Sequence, residues 1–172
     1  MSQFDVQIDN ARPSTLPVDP EFARPPDSRH RGRTASRALL VAIGLAGALG
    51  ALARFGVGRA VPTTPGGVPW GTLLVNISGS LGVGFALVML ADRLPRARLV
   101  RPVVVTGFLG GYTTFSTYVV EADTLFRHHD LAVGAAYGLG SLLAGTGAAL
   151  AGILLARAVV RLERAKRERA AQ

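Results

Sequence analysis

The sequence predicts an all-α integral membrane protein with four transmembrane helices, and three observations support this fold class. Four apolar stretches are long enough to cross a ~30 Å hydrocarbon core, which takes ~20 helical residues. Hydrophobic residues make up 49% of the 172 residues, although polar segments at both ends dilute that figure. Most Lys and Arg residues flank the apolar stretches, where positive charge sets membrane topology. We therefore attribute the net charge of +8 to the membrane setting and expect no nucleic-acid partner.

The chain divides into a tail, a membrane domain and a second tail. Residues 1–36 contain five of the ten prolines and no apolar run, so we expect a disordered, basic, proline-rich cytoplasmic tail. Residues 37–160 form the predicted four-helix transmembrane domain, and residues 161–172 form a basic C-terminal tail. The chain has no cysteine, which excludes thiol catalysis, disulfides and thiolate metal sites.

The first two predicted spans, at about residues 38–61 and 70–91, differ in their polar content. The first is rich in glycine and alanine, and it carries Arg54 near its end, where the side chain can reach the interface or line a pore mouth. The second carries Thr72, Asn76 and Ser80, which share one helical face because they are spaced four residues apart. This stripe fits interhelical hydrogen bonding as well as it fits a functional lining.

The third predicted span, about residues 99–126, contains the sequence GFLGGYTTFSTYVVE at positions 107–121. Glycine costs ~1 kcal/mol relative to alanine inside a helix, and threonine hydroxyls can bond to the backbone in place of the helical ladder. We therefore predict that this helix is broken at residues 110–113. Backbone opened at membrane depth is tolerated where protein or a wet cavity satisfies it, as in many ion sites.

The fourth predicted span, about residues 131–160, places Tyr137, Ser141 and Gly145 on one helical face. A short polar loop precedes it. The adjacent His128 and His129 of that loop lack a third ligand and give only weak support for a metal site.

The polar residues of the spans favour a pore over an enzyme. The Ser and Thr hydroxyls have no histidine beside them in any span, and Glu121 is a lone carboxylate, so the common hydrolytic mechanisms are unsupported. Phe115 and Tyr118 add ring edges with partial positive charge, although packing alone also explains these rings. Such a lining suits a small anion that sheds water. The neutral hydrogen-bond donors are Asn76, Thr114, Ser116, Thr117, Tyr137 and Ser141.

Three segments resemble a known family. They are TLLVNISGS around Asn76, GGYTTFSTYVVE from Gly110 to Glu121, and GALGALARF around Arg54. Together they closely resemble the small fluoride-exporting ion channel family (Fluc/CrcB), over residues 38–160. The resemblance implies an antiparallel dimer with two fluoride pathways and a central structural Na+, held by the backbone carbonyls of Gly110 and Thr113.

The resemblance also implies a fluoride pathway and a function. Tyr118 and Gly145 depart from the family pattern, which has a phenylalanine and often a serine there. The implied function is passive, fluoride-selective export across the cell membrane, which relieves fluoride toxicity. A small four-helix exporter of another substrate is the alternative, although no Asp or Glu lies in the first two spans before Asp92. The pathway residues are Thr72, Asn76, Thr114, Phe115, Thr117, Tyr118, Glu121, Tyr137 and Ser141.

The positive charges predict a membrane orientation. With four spans, both tails and the loop between the second and third spans lie on one face, and 16 of the 19 Lys and Arg residues belong to it. The positive-inside rule then places both termini in the cytoplasm. An antiparallel homodimer needs one chain to insert both ways, so the second subunit is either another copy or an oppositely oriented homologue.

Overall fold

The computed structural model describes residues 27–64, 67–93, 99–128 and 131–170. Helix α1 (Asp27–Ala60), helix α2 (Trp70–Arg93) and helix α5 (Leu131–Ala170) are continuous. The third span is composite, and consists of a π-helical segment (Pro102–Leu109), the single turn α3 (Gly110–Tyr112) and helix α4 (Phe115–His128). Among the described residues, four helical stretches are long and apolar enough to cross a membrane. The predicted fold class is therefore confirmed, and the chain is a multi-pass membrane protein.

Helix α1 starts ten residues before the predicted tail ends. Its apolar part, Arg37–Ala60, agrees with the predicted first span. The first ten residues of the helix, 27–36, contain no proline, the residue least compatible with a helix interior. Pro25 and Pro26 immediately precede this start, where proline opposes extension of a helix. The predicted disorder of residues 1–26 lies outside the described residues.

Helices α2 and α5 approach each other backbone to backbone. A Cβ atom added to Gly84 of α2 would lie 2.1 Å from the carbonyl oxygen of Ala149. A Cβ atom added to Gly152 of α5 would lie 2.2 Å from the carbonyl oxygen of Leu81. Small residues at both contacts allow this approach, which brings the polar faces of α2 and α5 to the same cavity.

Helix α1 packs against the third span in the same way. A Cβ atom on Gly50 would lie 2.1 Å from the carbonyl oxygen of Phe108, and one on Gly111 would lie 2.2 Å from the carbonyl oxygen of Gly47. The glycines are thus required on both sides of the contact. This packing fixes the first half of the third span directly ahead of its interruption.

The third span is interrupted at Thr113 and Thr114, which are not helical. Thr113 is extended, with φ −76° and ψ 158°, whereas Gly110 keeps helical angles of φ −66° and ψ −36°. The predicted broken helix is confirmed, and the predicted range, residues 110–113, overlaps the observed break at Thr113, although the glycine pair itself is helical. Close packing against α1 explains Gly111, and the threonine side chains explain the break.

The π-helical segment was not predicted. The backbone N–H of Gly110 reaches back to the carbonyl of Val105, five residues earlier, as well as to that of Gly107. Segments of this kind are rare in proteins overall, and those that occur are often found at functional sites. Here the segment ends where the single turn α3 leads into the break.

Two ion pairs join the end of α2 to the C-terminal part of α5. Arg93 pairs with Glu163, and Asp92 pairs with Arg164. The 40 residues of α5 are ~60 Å long, about twice the thickness of the hydrocarbon core, so α5 extends beyond it. The pairs place the end of α2 and this extension of α5 on the same face, as a four-span topology requires.

Candidate functional site

Asn76 connects α2 to the interruption of the third span. Its Nδ2 donates to the carbonyl oxygen of Thr114 at 2.9 Å, and its Oδ1 accepts from the backbone N–H of Thr114, also at 2.9 Å. One amide side chain therefore holds both backbone groups of a residue that has left the helical ladder. Backbone groups at this depth require such partners, because unsatisfied ones cost several kcal/mol in hydrocarbon.

The Thr114 side chain caps the second half of the span. Its Oγ1 accepts from the backbone N–H of Thr117 at 3.2 Å and donates to the hydroxyl of Thr117 at 2.9 Å. This is the usual arrangement of an N-cap threonine, whose oxygen satisfies the N–H of the third helical residue. Thr114 is buried, with 6% of its surface exposed, so the cap is formed inside the protein.

These two sets of bonds release carbonyl groups of the preceding turn. In a continuous helix, the N–H of Thr114 would bond to the carbonyl of Gly110, and the N–H of Thr117 to that of Thr113. Asn76 and the Thr114 hydroxyl take these two N–H groups instead. The carbonyls of Gly110 and Thr113 therefore lose their ordinary helical donors. These are the two carbonyls for which the family resemblance of the sequence implies a structural Na+.

Glu121 lies between hydroxyl groups of two other helices. Thr72 donates to its Oε1 at 2.8 Å and Tyr137 donates to its Oε2 at 2.9 Å. Hydrogen bonds to a carboxylate are about twice as strong as neutral ones. The carboxylate therefore links α2, α4 and α5 on one side of the break.

Eight of the nine predicted pathway residues line two cavities that share Thr114, whereas Tyr137 lines a neighbouring apolar groove. The first has a volume of about 570 Å³ and its polar lining includes Arg54, Thr72, Thr114, Thr117 and Glu121. The second has a volume of about 460 Å³ and its lining includes Asn76, Thr113, Thr114, Phe115, Tyr118 and Ser141. The sequence allowed either an interfacial or a pore-mouth position for Arg54. In the structure Arg54 lines the first cavity.

Three aromatic rings form a series beside the second cavity. The rings of Phe115 and Tyr118 are 5.6 Å apart, and those of Tyr118 and Tyr137 are 5.8 Å apart, at tilts of 46° and 42°. The Tyr118 hydroxyl donates to the carbonyl of Gly138 at 2.6 Å, which fixes the angle of the middle ring. Phe115 is 74% exposed in the single chain, so one side of this series is open.

Ser141 presents a hydroxyl without a partner. Its Oγ is buried and makes no hydrogen bond within the described part of the chain. A buried hydroxyl of this kind carries a cost unless another group satisfies it. Ser141 lines the second cavity and also a neighbouring apolar groove. One turn away, Ser80 and Gly145 face each other, and a Cβ atom added to Gly145 would lie 3.5 Å from the Ser80 hydroxyl oxygen. Ser80 therefore supplies a hydroxyl beside the position where Gly145 has none.

The sequence predicted which residues belong to this site better than it predicted the hydrogen bonds between them. The bonds from Asn76 to Thr114 and from Thr72 to Glu121 join residues that are 38 and 49 positions apart, and no local pattern reveals them. The four-residue spacing of Thr72, Asn76 and Ser80 was the one available signal, because it placed all three on the face that α2 turns to the break. The role of the Gly138 carbonyl had no signal in the sequence.

Known proteins are similar to this chain over the same region. The family described as "CrcB-like protein, Camphor Resistance (CrcB)" matches residues 41–153, which include every residue of both cavities named above. "Fluoride-specific ion channel FluC 2" of Nocardia farcinica is 41% identical over 124 residues, or 72% of this chain and 86% of that protein. "Fluoride-specific ion channel FluC 1" of Mycolicibacterium paratuberculosis is 41% identical over 128 residues, covering 74% and 94%.

A third relative extends the comparison to another organism. "Fluoride-specific ion channel FluC" of Solibacter usitatus is 42% identical over 120 residues, or 69% of this chain and 97% of that protein. The shared region is nearly the whole length of this relative, and the family match at residues 41–153 lies within the predicted transmembrane domain. This chain, with its four spans and its interrupted third helix, therefore belongs to the CrcB family of membrane channels.

Proposed function

We propose that this chain is one subunit of a fluoride-selective channel that exports fluoride passively from the cytoplasm across the cell membrane. The observation that carries the proposal is the interrupted third span, whose polar residues converge on two cavities beside Thr114. The names of the relatives point to fluoride. No covalent step is part of this function, so the protein acts as a channel and not as an enzyme.

The lining is suited to an anion that loses its water. Neutral donors are supplied by the second amide N–H of Asn76 and by the hydroxyls of Thr117 and Ser141, of which the Ser141 hydroxyl has no partner among the described residues. The hydroxyl hydrogens of Thr72 and Tyr137 are donated to Glu121 and that of Thr114 to Thr117, so these three side chains shape the pathway rather than donate to the ion. The edges of Phe115 and Tyr118 add weak positive potential without a fixed charge. Neutral donors bind an anion firmly enough to replace hydration and loosely enough to release it, as conduction requires.

The driving force requires no energy source in the protein. Neutral hydrogen fluoride crosses membranes, ionises in a more alkaline cytoplasm and accumulates there as the anion. An inside-negative potential drives that anion outward with ~2.3 kcal/mol per charge per 100 mV. A selective passive pathway is therefore sufficient to relieve fluoride toxicity.

The carbonyls of Gly110 and Thr113 are proposed to hold a structural Na+. Their fit rests on the hydrogen bonds at the break, which divert the helical donors of both carbonyls to side-chain acceptors. Hard oxygen ligands suit a hard cation, and opened helices at membrane depth commonly bind one. When bound, the ion supplies positive charge that stabilises the interrupted backbone.

A second subunit is proposed to complete the pathway, with lipid around both. The open side of the aromatic series, where Phe115 is 74% exposed, supports this assembly. The strong excess of positive charge on one face favours insertion in a single orientation, so the partner in the cell is an oppositely oriented homologue rather than a second copy. Tagging the C-terminus in cells that express this chain alone decides the point, because equal labelling on both sides would require a dual-orientation homodimer.

The function is tested with purified protein in liposomes loaded with potassium fluoride. A fluoride electrode records efflux after valinomycin sets the membrane potential, and chloride-loaded liposomes provide the control. We expect rapid fluoride efflux and no chloride efflux above that of protein-free liposomes. Equal release of the two anions, or no release of either, would contradict the proposal and favour a four-helix exporter of another substrate.

A further inference from the structure

We propose that Asn76 is the positioning residue that keeps the third span open, and that without it the helix closes over the Gly110 carbonyl. This role differs from direct contact with a passing anion. The link to a bound cation rests on the proposed function, whereas the effect on the helix rests on the hydrogen bonds alone.

The first argument concerns the Thr114 N–H. A continuous helix would bond this group to the Gly110 carbonyl, and Thr114 is only 6% exposed, so little of it is open to water. Asn76 Oδ1 holds the N–H at 2.9 Å, and Asn76 Nδ2 holds the carbonyl of the same residue at 2.9 Å. Removing the amide leaves a buried N–H whose available intrahelical acceptor is the Gly110 oxygen.

The second argument concerns the cap on α4. The Thr114 hydroxyl accepts from the Thr117 N–H only while Thr114 occupies the N-cap position, whose backbone is not helical. If Thr114 enters the helix, the Thr117 N–H returns to the Thr113 carbonyl. A single side chain on α2 therefore controls the availability of both carbonyls.

The third argument concerns the packing that holds α2 in place around Asn76. Its neighbour Val75 is 1% exposed, and a Cβ on Gly79 would lie 2.2 Å from the Cγ2 atom of Thr113. Helix α2 thus touches the break at Thr113 as well as at Thr114. This close contact fixes the distance over which the short Asn76 side chain reaches the span.

The test compares Asn76→Leu, which keeps the side-chain size but has no hydrogen-bonding groups, with wild type and Ser80→Ala. Ser80 lies one turn away on the same helical face and lines the same cavity. Thermal unfolding in detergent is followed over a range of Na+ concentrations, with N-methylglucamine keeping the ionic strength constant. The structure of Asn76→Leu gives the distance from the Thr114 nitrogen to the Gly110 oxygen.

We expect Asn76→Leu to need about tenfold more Na+ for half-maximal stabilisation, a change of ~1.4 kcal/mol in binding. Ser80→Ala should keep the wild-type Na+ response. In Asn76→Leu the Thr114 nitrogen should lie within hydrogen-bonding distance of the Gly110 oxygen. An Asn76→Leu structure that keeps the extended Thr113, even with fluoride efflux lost, overturns the inference and makes Asn76 an anion contact only.

Two further outcomes remain decisive. If wild type shows no response to Na+, the proposed cation site fails, while the Asn76→Leu structure still decides the role of Asn76. If Asn76→Leu does not fold, Asn76→Asp replaces it, because aspartate keeps the acceptor for the Thr114 N–H. A closed helix in Asn76→Asp would overturn the inference, and an open one would support it.

Discussion

The contact between α2 and α5 yields a prediction in which two similar substitutions have opposite signs. A Cβ atom in Gly152→Ala would lie 2.2 Å from the carbonyl oxygen of Leu81 and 2.9 Å from the backbone nitrogen of Phe85. Both atoms belong to the backbone, so no side-chain rotation relieves the clash. The helices must separate by about 1 Å to restore ordinary contact. Overpacking of this kind costs ~1–3 kcal/mol.

Gly147→Ala is the matched control on the same helix, because a Cβ there has nothing within 4 Å in this chain. Replacing glycine by alanine in an open helical position gains ~0.5–1 kcal/mol. One kcal/mol shifts the melting temperature of a chain of this size by ~2–4 °C. With a net cost of ~2 kcal/mol, we expect Gly152→Ala to melt ~4–8 °C lower, and Gly147→Ala to melt at or slightly above the wild-type temperature.

Thermal unfolding can be followed through Trp70, the single tryptophan, which lies at the start of α2. Size-exclusion chromatography before heating checks that each variant is assembled. The separation of α2 from α5 should also widen the second cavity and slow fluoride efflux in Gly152→Ala. Equal melting temperatures for the two variants would refute the close backbone approach of the two helices.

Four other substitutions test the lining. Phe115→Ile keeps an apolar side chain and removes the ring edge, so fluoride efflux should fall strongly while the elution volume on sizing stays that of wild type; unchanged efflux would reduce Phe115 to a packing residue. Ser141→Ala removes a buried hydroxyl that has no partner in the described residues, so the melting temperature should be unchanged or higher while efflux falls, and a lower melting temperature would show that the hydroxyl is satisfied. Tyr137→Phe removes one of the two hydrogen bonds to the Glu121 side chain and should cost ~1.5–3 kcal/mol, seen as a lower melting temperature. Tyr118→Phe removes a bond to a backbone carbonyl and should cost only ~1 kcal/mol; equal losses would contradict a stronger hydrogen bond at Glu121.

The four spans were predictable because hydropathy and helix length are properties of contiguous residues. The break was predictable for a different reason, since hydroxyl residues within an apolar helix offer the backbone other partners. Its position was less predictable. The glycine pair weakens a helix in isolation, but Gly111 is required for contact with α1, and the helical path survives there because tertiary packing supports it. The interruption falls where a side chain from another helix, Asn76, takes the backbone N–H.

The connections within the site could not be predicted for the same reason. The Glu121 carboxylate depends on hydroxyl groups from α2 and α5, which lie far away in sequence. The Tyr118 hydroxyl donates to the backbone carbonyl of Gly138, and since every residue type has such a carbonyl, the sequence gives no signal for this bond. The π-helical segment carries no distinctive residues. Each of these features arises from the distances between helices, which the sequence specifies only through the complete fold.

Because of the two ion pairs between α2 and α5, the chain presents more unpaired positive charge during membrane insertion than it does after folding. Arg93 and Arg164 are paired with carboxylates in the folded chain. These pairs join residues 70 and 72 positions apart, so they form only after both helices are in the membrane. During insertion the two arginines act as uncompensated cations, because acidic residues contribute little to topology. Both arginines therefore act as topology determinants while the chain inserts. After folding, the same side chains stabilise the contact between α2 and α5.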